Sequence, residues 1–414
     1  MLGAGGDAAA AHGVDIVLFS VKSTDTEAAG AQVKPHLTPG ARQQAAEVAA
    51  DGARAHHGDL EGLGHGRIPG TPDNPCAMAY VDLSGDTAAM RRIFVSLGLA
   101  HADEEVTAVA LAGGVSSGIY RIDLRSGSYC LKQALPKLKV AKEWNVPVER
   151  VFAEIDWLET VGRIAPGHVP RVLGQDDASR SFVMEFLGPE FRNWKSPLLA
   201  GGVDVAVARD VGDVLGRIHA ATADDASLAA RFATDANFHA IRLEPYLVET
   251  ARVHPALADG LLATVARTAG TRRVLVHGDV SPKNIMIGPN GPVLLDAECA
   301  WFGDPAFDLA FCLNHFLLKA AHMPSHLGAL MACFAALKAS YFARVAWEPL
   351  DELEARVARL LPGLTLARVD GKSPVEYLGE AQRDFVRTLA ARLLRQGPVS
   401  LDVIAAFWAW ELGS

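Results

Sequence analysis

Asp279, Asn284 and Asp296 are the residues whose types and spacing point most directly to chemistry. An aspartate can orient an attacking hydroxyl and take its proton. An asparagine and a second aspartate offer the hard oxygen donors that suit Mg²⁺, which commonly binds one or two carboxylates together with phosphate and water. A base beside a cation site is what phosphoryl transfer from a nucleotide needs, because that reaction rests on positioning and charge neutralisation. Asp279 is the base candidate, and Asn284 and Asp296 are the metal-ligand candidates. Lys283, four residues after Asp279, either offsets charge on the transferring group or is a solvated loop lysine.

The elements around these residues are legible. Residues 274–310 read VLVHGDVSPKNIMIGPNGPVLLDAECAWFGDPAFDLA. The apolar run Val274, Leu275, Val276 predicts a strand that delivers His277, Gly278 and Asp279 into a loop ending at Asn284. Ile285, Met286 and Ile287 form a second apolar run. Gly288, Pro289, Asn290 and Gly291 predict a hairpin turn, and the strand after it ends on Asp296. The three candidates are therefore expected at the same end of one small sheet. His277 is expected to brace the loop. Asp304 and Asp308 are expected to hold backbone and helix-start geometry, with Pro305 early in the helix.

The step from Asp279 to Asn284 equals the H-R-D-x-x-x-x-N spacing of the protein-kinase catalytic loop, and Asp296 falls where the D-F-G aspartate would. Gly278 stands in place of the arginine, and Ala297 in place of the phenylalanine. With these departures the stretch resembles the aminoglycoside phosphotransferase and choline kinase family. That family writes H-G-D-x-x-x-x-N, a second Asp on the next strand, and then G-D-P-x-x-D-L-A, here Gly303 to Ala310. The resemblance runs in order from about residue 89 to 414. It implies an α+β, bilobal protein-kinase-like fold, with a small antiparallel-sheet N-lobe over 89–186 and a mostly helical C-lobe over 187–414. It also implies ATP- and Mg²⁺-dependent transfer of the γ-phosphoryl group to a hydroxyl on a small metabolite.

The same resemblance assigns the N-lobe. A helix is expected over 90–97. A strand, a glycine-rich turn and a strand follow over 109–122, and backbone N–H groups of the turn at Gly113, Gly114, Ser116 and Ser117 would wrap phosphates. Val115 occupies the middle glycine position of the protein-kinase form. Lys132, on a strand over 129–132, is the candidate partner of the α/β phosphates. Glu154, on a helix beginning near 147, would pair with it, with Glu149 as the alternative. The main chain of Glu185, Phe186 and Leu187 is expected to form the hinge that reads the adenine edge.

In the C-lobe a long amphipathic helix is expected over 203–221, with His219 packed near its end. Residues 237–262, with Phe238 to Leu247 reading FHAIRLEPYL, are similar to a segment of methylthioribose kinases, whose catalytic loop is written differently. After Asp308 the chain reads as helical, with a polar interruption over 367–378. There Arg368, Asp370 and Lys372 either contact the acceptor or belong to an ordinary interhelical loop. Trp301 and Phe302 are either an acceptor wall or core. The absence of a C-terminal acidic cluster argues against a polycationic acceptor.

The N-terminal stretch reads differently. Residues 14–22 predict a buried strand and 23–33 a helix, and residues 14–42 are similar to the middle of the nucleotide-binding domain of ketopantoate reductases. Gly3, Gly5 and Ala8 satisfy G-x-G-x-x-[GA] without the preceding strand that fingerprint needs. A truncated, partial Rossmann-like segment over 1–42 and a linker over 43–88 are therefore expected. A nicotinamide-dependent oxidoreductase and a nucleotide-binding pseudokinase are the rival readings.

The chain has 414 residues, 50% hydrophobic and 21% charged, enough for two to three domains and a substantial core. Net charge is −9 with no long basic run, which argues against nucleic acid. The five cysteines lack any C-x-x-C pair and read as reduced core residues of a cytoplasmic protein. Neither a membrane span nor a signal peptide is expected. The oligomeric state is left open.

Overall fold

The computed structural model describes residues 80–111, 116–137 and 147–413. The Rossmann-like segment expected over 1–42, most of the linker, and Gly113 and Gly114 lie outside these residues.

Helix α1 (Thr87–Ser96) starts on Asp86, whose carboxylate accepts the Ala89 N–H. The sheet that follows comprises β1 (Thr107–Ala110), β2 (Ser117–Leu124), β3 (Gly127–Ala134), β4 (Val172–Asp176) and β5 (Ser181–Glu185), ordered β1-β2-β3-β5-β4 and antiparallel throughout. Period-two alternation divides its side chains between two layers. Ile122, Leu131 and Val183 pack under α1 with Met90, Ile93 and Phe94. Ile119, Cys130, Phe182 and Met184 join the main core with α2 (Arg150–Ile164). Lys132 shares the face of Cys130, so the strand period alone turns it toward α2. Packing of this lobe begins before residue 89, within the stretch read as linker. The Leu83 N–H donates to Gln133 Oε1 at 3.0 Å, and the Tyr80 hydroxyl donates to the Ala134 carbonyl at 3.0 Å.

The C-lobe begins with β6 (Arg192–Asn193) and α3 (Val205–Thr222), the latter capped by Asp204. A ten-residue π-helix, His239–Val248, follows. Pro245 sits inside it, and the wider turn accommodates a residue that has no amide to donate. Helix α4 (Ala258–Gly270) leads into β7 (Val274–Val276). The expected hairpin is β8 (Ile285–Gly288) and β9 (Gly291–Leu294), with Gly288 opposite Gly291.

One sheet expectation is corrected. Strand β7 does not join that hairpin; it pairs antiparallel with β10 (Trp301–Gly303), whereas β8 pairs with β6 and β9. The chain reverses after Asp296, which adopts φ +66°, and lays Trp301 and Phe302 against β7. Both rings are buried and Trp301 stacks on Phe238, so they are core rather than an acceptor wall.

Helix α5 (Pro305–His322) is the central element of the C-lobe, buried along nearly its whole length. Around it lie α6 (Leu327–Phe342), α7 (Leu350–Asp370), α8 (Glu380–Gln396) and α9 (Leu401–Gly413). Helix α7 runs to Asp370, so the polar interruption starts later than 367. Helices α3 and α6 touch closely at Gly212, where a Cβ would stand 2.4 Å from the Leu337 carbonyl oxygen. Among the described residues no helix is long and apolar enough to cross a membrane. Cys130, Cys299, Cys312 and Cys333 are free and buried.

Candidate active site

The loop after β7 is held from beneath. The buried Asp308 carboxylate, near the start of α5, accepts the His277 N–H at 2.7 Å and the Gly278 N–H at 2.8 Å. His219 Nε2 lies 3.3 Å from the same carboxylate, and His219 Nδ1 is 2.8 Å from the Tyr341 hydroxyl. Gly278 has φ +80°, and a Cβ there would stand 2.7 Å from Cys299 Cβ. Both the dihedral and the space therefore require glycine. His277 Nδ1 accepts the Asp279 N–H at 3.1 Å, so Nε2 carries the proton and donates to the Leu295 carbonyl at 3.0 Å. Burial pushes this imidazole below its ordinary value, against nearby carboxylates that pull it up. His277 is thus a neutral brace, as the sequence reading expected.

Asp279 projects from this braced loop. Its Oδ2 lies 2.8 Å from Arg242 Nη2 and 3.0 Å from Lys283 Nζ, while Oδ1 is buried with no hydrogen-bond partner. Burial works to raise this carboxyl, but Lys283 and Arg242 more than offset it and leave it below the usual carboxylate range. Asp279 is therefore ionised at neutral pH, with one bare oxygen. Lys283 is partly exposed, and Asp279, with Asp296 behind it, raises its pKa against burial. Asn284 Nδ2 donates to the Asp279 carbonyl at 3.1 Å, and Asn284 Oδ1 has no partner.

Across the lobes, Lys132 Nζ lies 2.7 Å from Glu154 Oε1 and 2.5 Å from Asp296 Oδ1. All three groups are largely withdrawn from solvent. Burial opposes charge on Lys132, but the two carboxylates overcome it and raise its pKa. Asp296 is raised by burial and lowered more by Lys132 and Lys283, so it stays ionised. The choice between the two glutamates is settled by helix phase. Glu154 shares the buried face of α2, whereas Glu149 precedes the helix and reaches out to Arg180 at 3.8 Å.

Sequence reasoning missed two buried arginines. Arg242 comes from the π-helix, and besides holding Asp279 it donates through Nε to the Gly278 carbonyl. The only hint was its place in the FHAIRLEPYL segment. Arg150 opens α2. It donates to the carbonyls of Ser116 at 2.5 Å, Leu135 at 2.9 Å and Pro147 at 2.8 Å, and its Nε pairs with Glu298 Oε2 at 2.9 Å. It thus ties the end of the glycine-rich turn to the segment just after Asp296. A lone arginine at a helix start carries no sequence signal for that role.

The other expected residues among those described make local contacts. Ser117 is buried at the start of β2, and the Ser116 carbonyl also accepts the Leu135 N–H. Glu185 ends β5, its side chain accepting the Arg171 N–H, and Leu187 is buried. Arg121 lies over the Phe186 ring at 5.2 Å. Of the three polar residues after position 367, Asp370 pairs with Arg387 and His254, and Lys372 with Glu244, so both serve local structure. Arg368 is different: it is buried inside the lobe.

The residues present fit a hard divalent cation in one specific sense. Among the described residues no three His, Cys, Asp or Glu side chains gather as a self-sufficient metal cage. Asn284 Oδ1 and Asp296 supply two hard oxygens, one of them buried without a hydrogen-bond partner, a donor set that phosphate and water oxygens would have to complete.

A braced acid loop facing a Lys–Glu–Asp cluster across two lobes is the architecture of a phosphotransferase. The family model described as "Phosphotransferase enzyme family" matches residues 107–353, and the chain belongs to that family. It is similar to the methylthioribose kinase of Pectobacterium atrosepticum, 25% identical over a 250-residue alignment that covers 54% of this chain and 62% of that one. Methylthioribose kinase 1 of Oryza sativa subsp. japonica is 22% identical over a 251-residue alignment that covers 54% of this chain and 58% of its own length. The chain thus spans about six tenths of these curated relatives. Among solved structures, the choline kinase LicA of Streptococcus pneumoniae superposes with a TM-score of 0.43 at 14% identity, covering 76% of this chain and 99% of its own.

Proposed function

We propose that the chain transfers the γ-phosphoryl group of ATP to a hydroxyl of a small-molecule acceptor. The observation that carries this reading is the pair of bare oxygens, Asp279 Oδ1 and Asn284 Oδ1, on one loop facing the Lys132–Glu154–Asp296 cluster. Buried acceptors without partners are costly, and they persist where a ligand completes them.

Bound ATP–Mg²⁺ supplies the transferable group and neutralises its oxygens. Asp279 orients the acceptor hydroxyl and takes its proton as the new O–P bond forms and the bond to the ADP oxygen breaks. Lys283 offsets charge on the moving phosphoryl. Lys132, aimed by Glu154, contacts the α/β phosphates. Asn284 and Asp296 would hold the cation. The turn ending at Ser116 and Ser117 would cover the phosphates, and the main chain at Glu185, Phe186 and Leu187 would meet the adenine edge. The name of the curated relatives makes methylthioribose, a neutral thiosugar, the reference acceptor against which acceptors of other chemistry are compared.

The test couples ADP release to added acceptor in the presence of ATP and Mg²⁺, alongside thermal stabilisation by ATP–Mg²⁺ and by NADPH. Acceptor-dependent ADP release that Asp279→Asn abolishes is the expected result. Stabilisation by ATP–Mg²⁺ with no release for any acceptor favours a pseudokinase, and stabilisation by NADPH alone overturns the reading.

A further inference from the structure

Beyond Arg242, which pairs with Asp279, the C-lobe helices bury a second set of cations. Arg242, which holds Asp279, lies 5.8 Å from the ring centroids of both Tyr246 and Phe311. From Tyr246 the wall continues to Arg368 on α7, whose Nη1 is 3.3 Å from the Tyr246 hydroxyl. From Phe311 it continues along α5 at intervals of four, first to His315 and then to Lys319. The spacing places all three on one helix face, and the rings of Phe311 and His315 lie 5.9 Å apart. Lys319 is 1% exposed and sits 5.3 Å from the face of Tyr377.

The charges of this wall do not balance. Arg242 is matched by Asp279, Lys195 by Glu376 and Lys372 by Glu244. Among the described residues, Lys319 and Arg368 have no carboxylate within ion-pair distance. Arg368 reaches neutral oxygens only, the Tyr246 hydroxyl and the carbonyl and hydroxyl of Ser373. Its Nε, the Nε2 of His315 and the hydroxyl of Tyr377 are buried with no hydrogen-bond partner. Unmatched buried cations and idle donors are each expensive, and a ligand that supplied acceptors to several of them would offset that cost.

We propose that this wall holds the acceptor by an oxyanion group, a carboxylate or a phosphate, bound by Lys319 and Arg368, while the acceptor hydroxyl is presented to Asp279. The inference rests on the phosphoryl-transfer reading and names its substrate class. A carboxylate or phosphate accepts from an ammonium and a guanidinium together, and the idle donors of His315 and Tyr377 add to the same cradle. The same cations disfavour a polycationic acceptor. Burial and the neighbouring Lys195 ammonium depress Lys319 to about 7 although Glu376 opposes them, and a bound anion would raise it again.

The experiment measures ADP release with acceptors matched except for charge. The set is glycerol, glycerate and glycerol 3-phosphate; ribose, ribonate and ribose 5-phosphate; and choline as the cationic member. At least one anionic member should exceed its neutral partner by tenfold or more in kcat/KM, and comparing carboxylates with phosphates identifies which oxyanion is read. Lys319→Met should then raise KM for that anion at least tenfold, with kcat and the KM for ATP within twofold. Lys319→Arg should recover much of the loss. Should Lys319→Met fail to fold, Arg368→Lys, which keeps the charge but loses the fork, should raise KM to a smaller degree. Neutral or cationic members used as well as anionic ones overturn the proposal, as does an unchanged KM in Lys319→Met. Stabilisation by ATP–Mg²⁺ without turnover of any anion also counts against it. Absence of ATP–Mg²⁺ binding instead overturns the phosphoryl-transfer reading beneath it.

Discussion

Two buried cationic centres connect to Asp279, and they are built on opposite principles. On the nucleotide side, Lys132 is answered from within the chain by Glu154 and Asp296. In the second, Lys319 and Arg368 touch aromatic faces and neutral oxygens, and the Glu376 carboxylate that acts on both from beyond ion-pair distance is already paired with Lys195. Paired buried charges hold one another in place, whereas unpaired ones are tolerated at a cost to stability. The first centre is therefore organised by the chain itself, and the second is organised for something the chain does not contain. The contrast separates a part of the site that any acceptor would use from a part that selects one.

The largest expected effect breaks neither centre but the residue to which both connect. Asp279→Asn keeps the size and much of the hydrogen bonding, yet removes the proton acceptor. It should lower kcat by about 10²–10⁴-fold, the usual worth of a positioned general base. ATP affinity should stay within a few fold, and a calorimetric titration alongside steady-state assays would check both. Next comes Lys132→Met, which leaves Glu154 and Asp296 buried side by side without their cation. Breaking a buried pair by removing one partner typically costs about 3–5 kcal/mol. Chemical denaturation should show a loss of that order, relieved in acid as the two carboxylates protonate. A stability unchanged by Lys132→Met would mean that solvent reaches this cluster and that the paired centre is not what organises it.

What was legible in the sequence follows the same division. Asp279, Asn284 and Asp296 lie within eighteen residues on elements that a strand-loop-hairpin pattern defines, so spacing alone reached them. Lys132 and Glu154 were reached only through the resemblance to the kinase order of turn, strand, lysine and helix, with Glu149 left open beside Glu154 until the ion pair was seen. Strand β10 was not read, since three residues with no alternation to count carry no periodic signal, and their burial comes from β7 and Phe238. The second centre was unreadable for a stronger reason. Arg242, His315, Lys319 and Arg368 come from three helical elements whose faces meet only after α5 is buried. Arg368 was noticed for its position in a polar stretch, but Asp370 and Lys372 in the same stretch proved to be local ion-pair partners.

A smaller effect tests the brace that both centres share. Gly278→Ala would place a Cβ 2.8 Å from the Cys299 carbonyl oxygen at φ +80°. Holding a non-glycine residue there should cost about 1–3 kcal/mol. If the loop is as tightly held by Asp308 as its two N–H bonds indicate, the loss should appear in the melting temperature and in kcat together. A variant that melts lower but turns over normally would show that the loop relaxes without moving Asp279.

The smallest expected effect has the opposite sign, and it separates the two centres most sharply. Lys319→Met replaces an unmatched buried ammonium with an apolar chain of similar length, so the unliganded protein should gain stability, on the order of 1 kcal/mol at pH 7. The pH dependence follows from the direction of the shift. Burial is the main cause that lowers Lys319 from an ordinary 10.5 to about 7, with Lys195 and Arg368 adding to it and Glu376 opposing. A lysine depressed on folding binds fewer protons in the native than in the unfolded state between those two values, so its penalty is full below about pH 7 and shrinks as pH rises toward 10.5. The advantage of Lys319→Met should therefore be largest at pH 6 to 7 and fade by about pH 10, as read from denaturation midpoints across that range. Lys132→Met, by contrast, should be destabilising throughout the same range, because Lys132 is raised on folding and its pairing persists until strongly alkaline pH. If Lys319→Met destabilised the protein as Lys132→Met does, the second centre would be held by contacts of its own, and the two centres would not differ in kind.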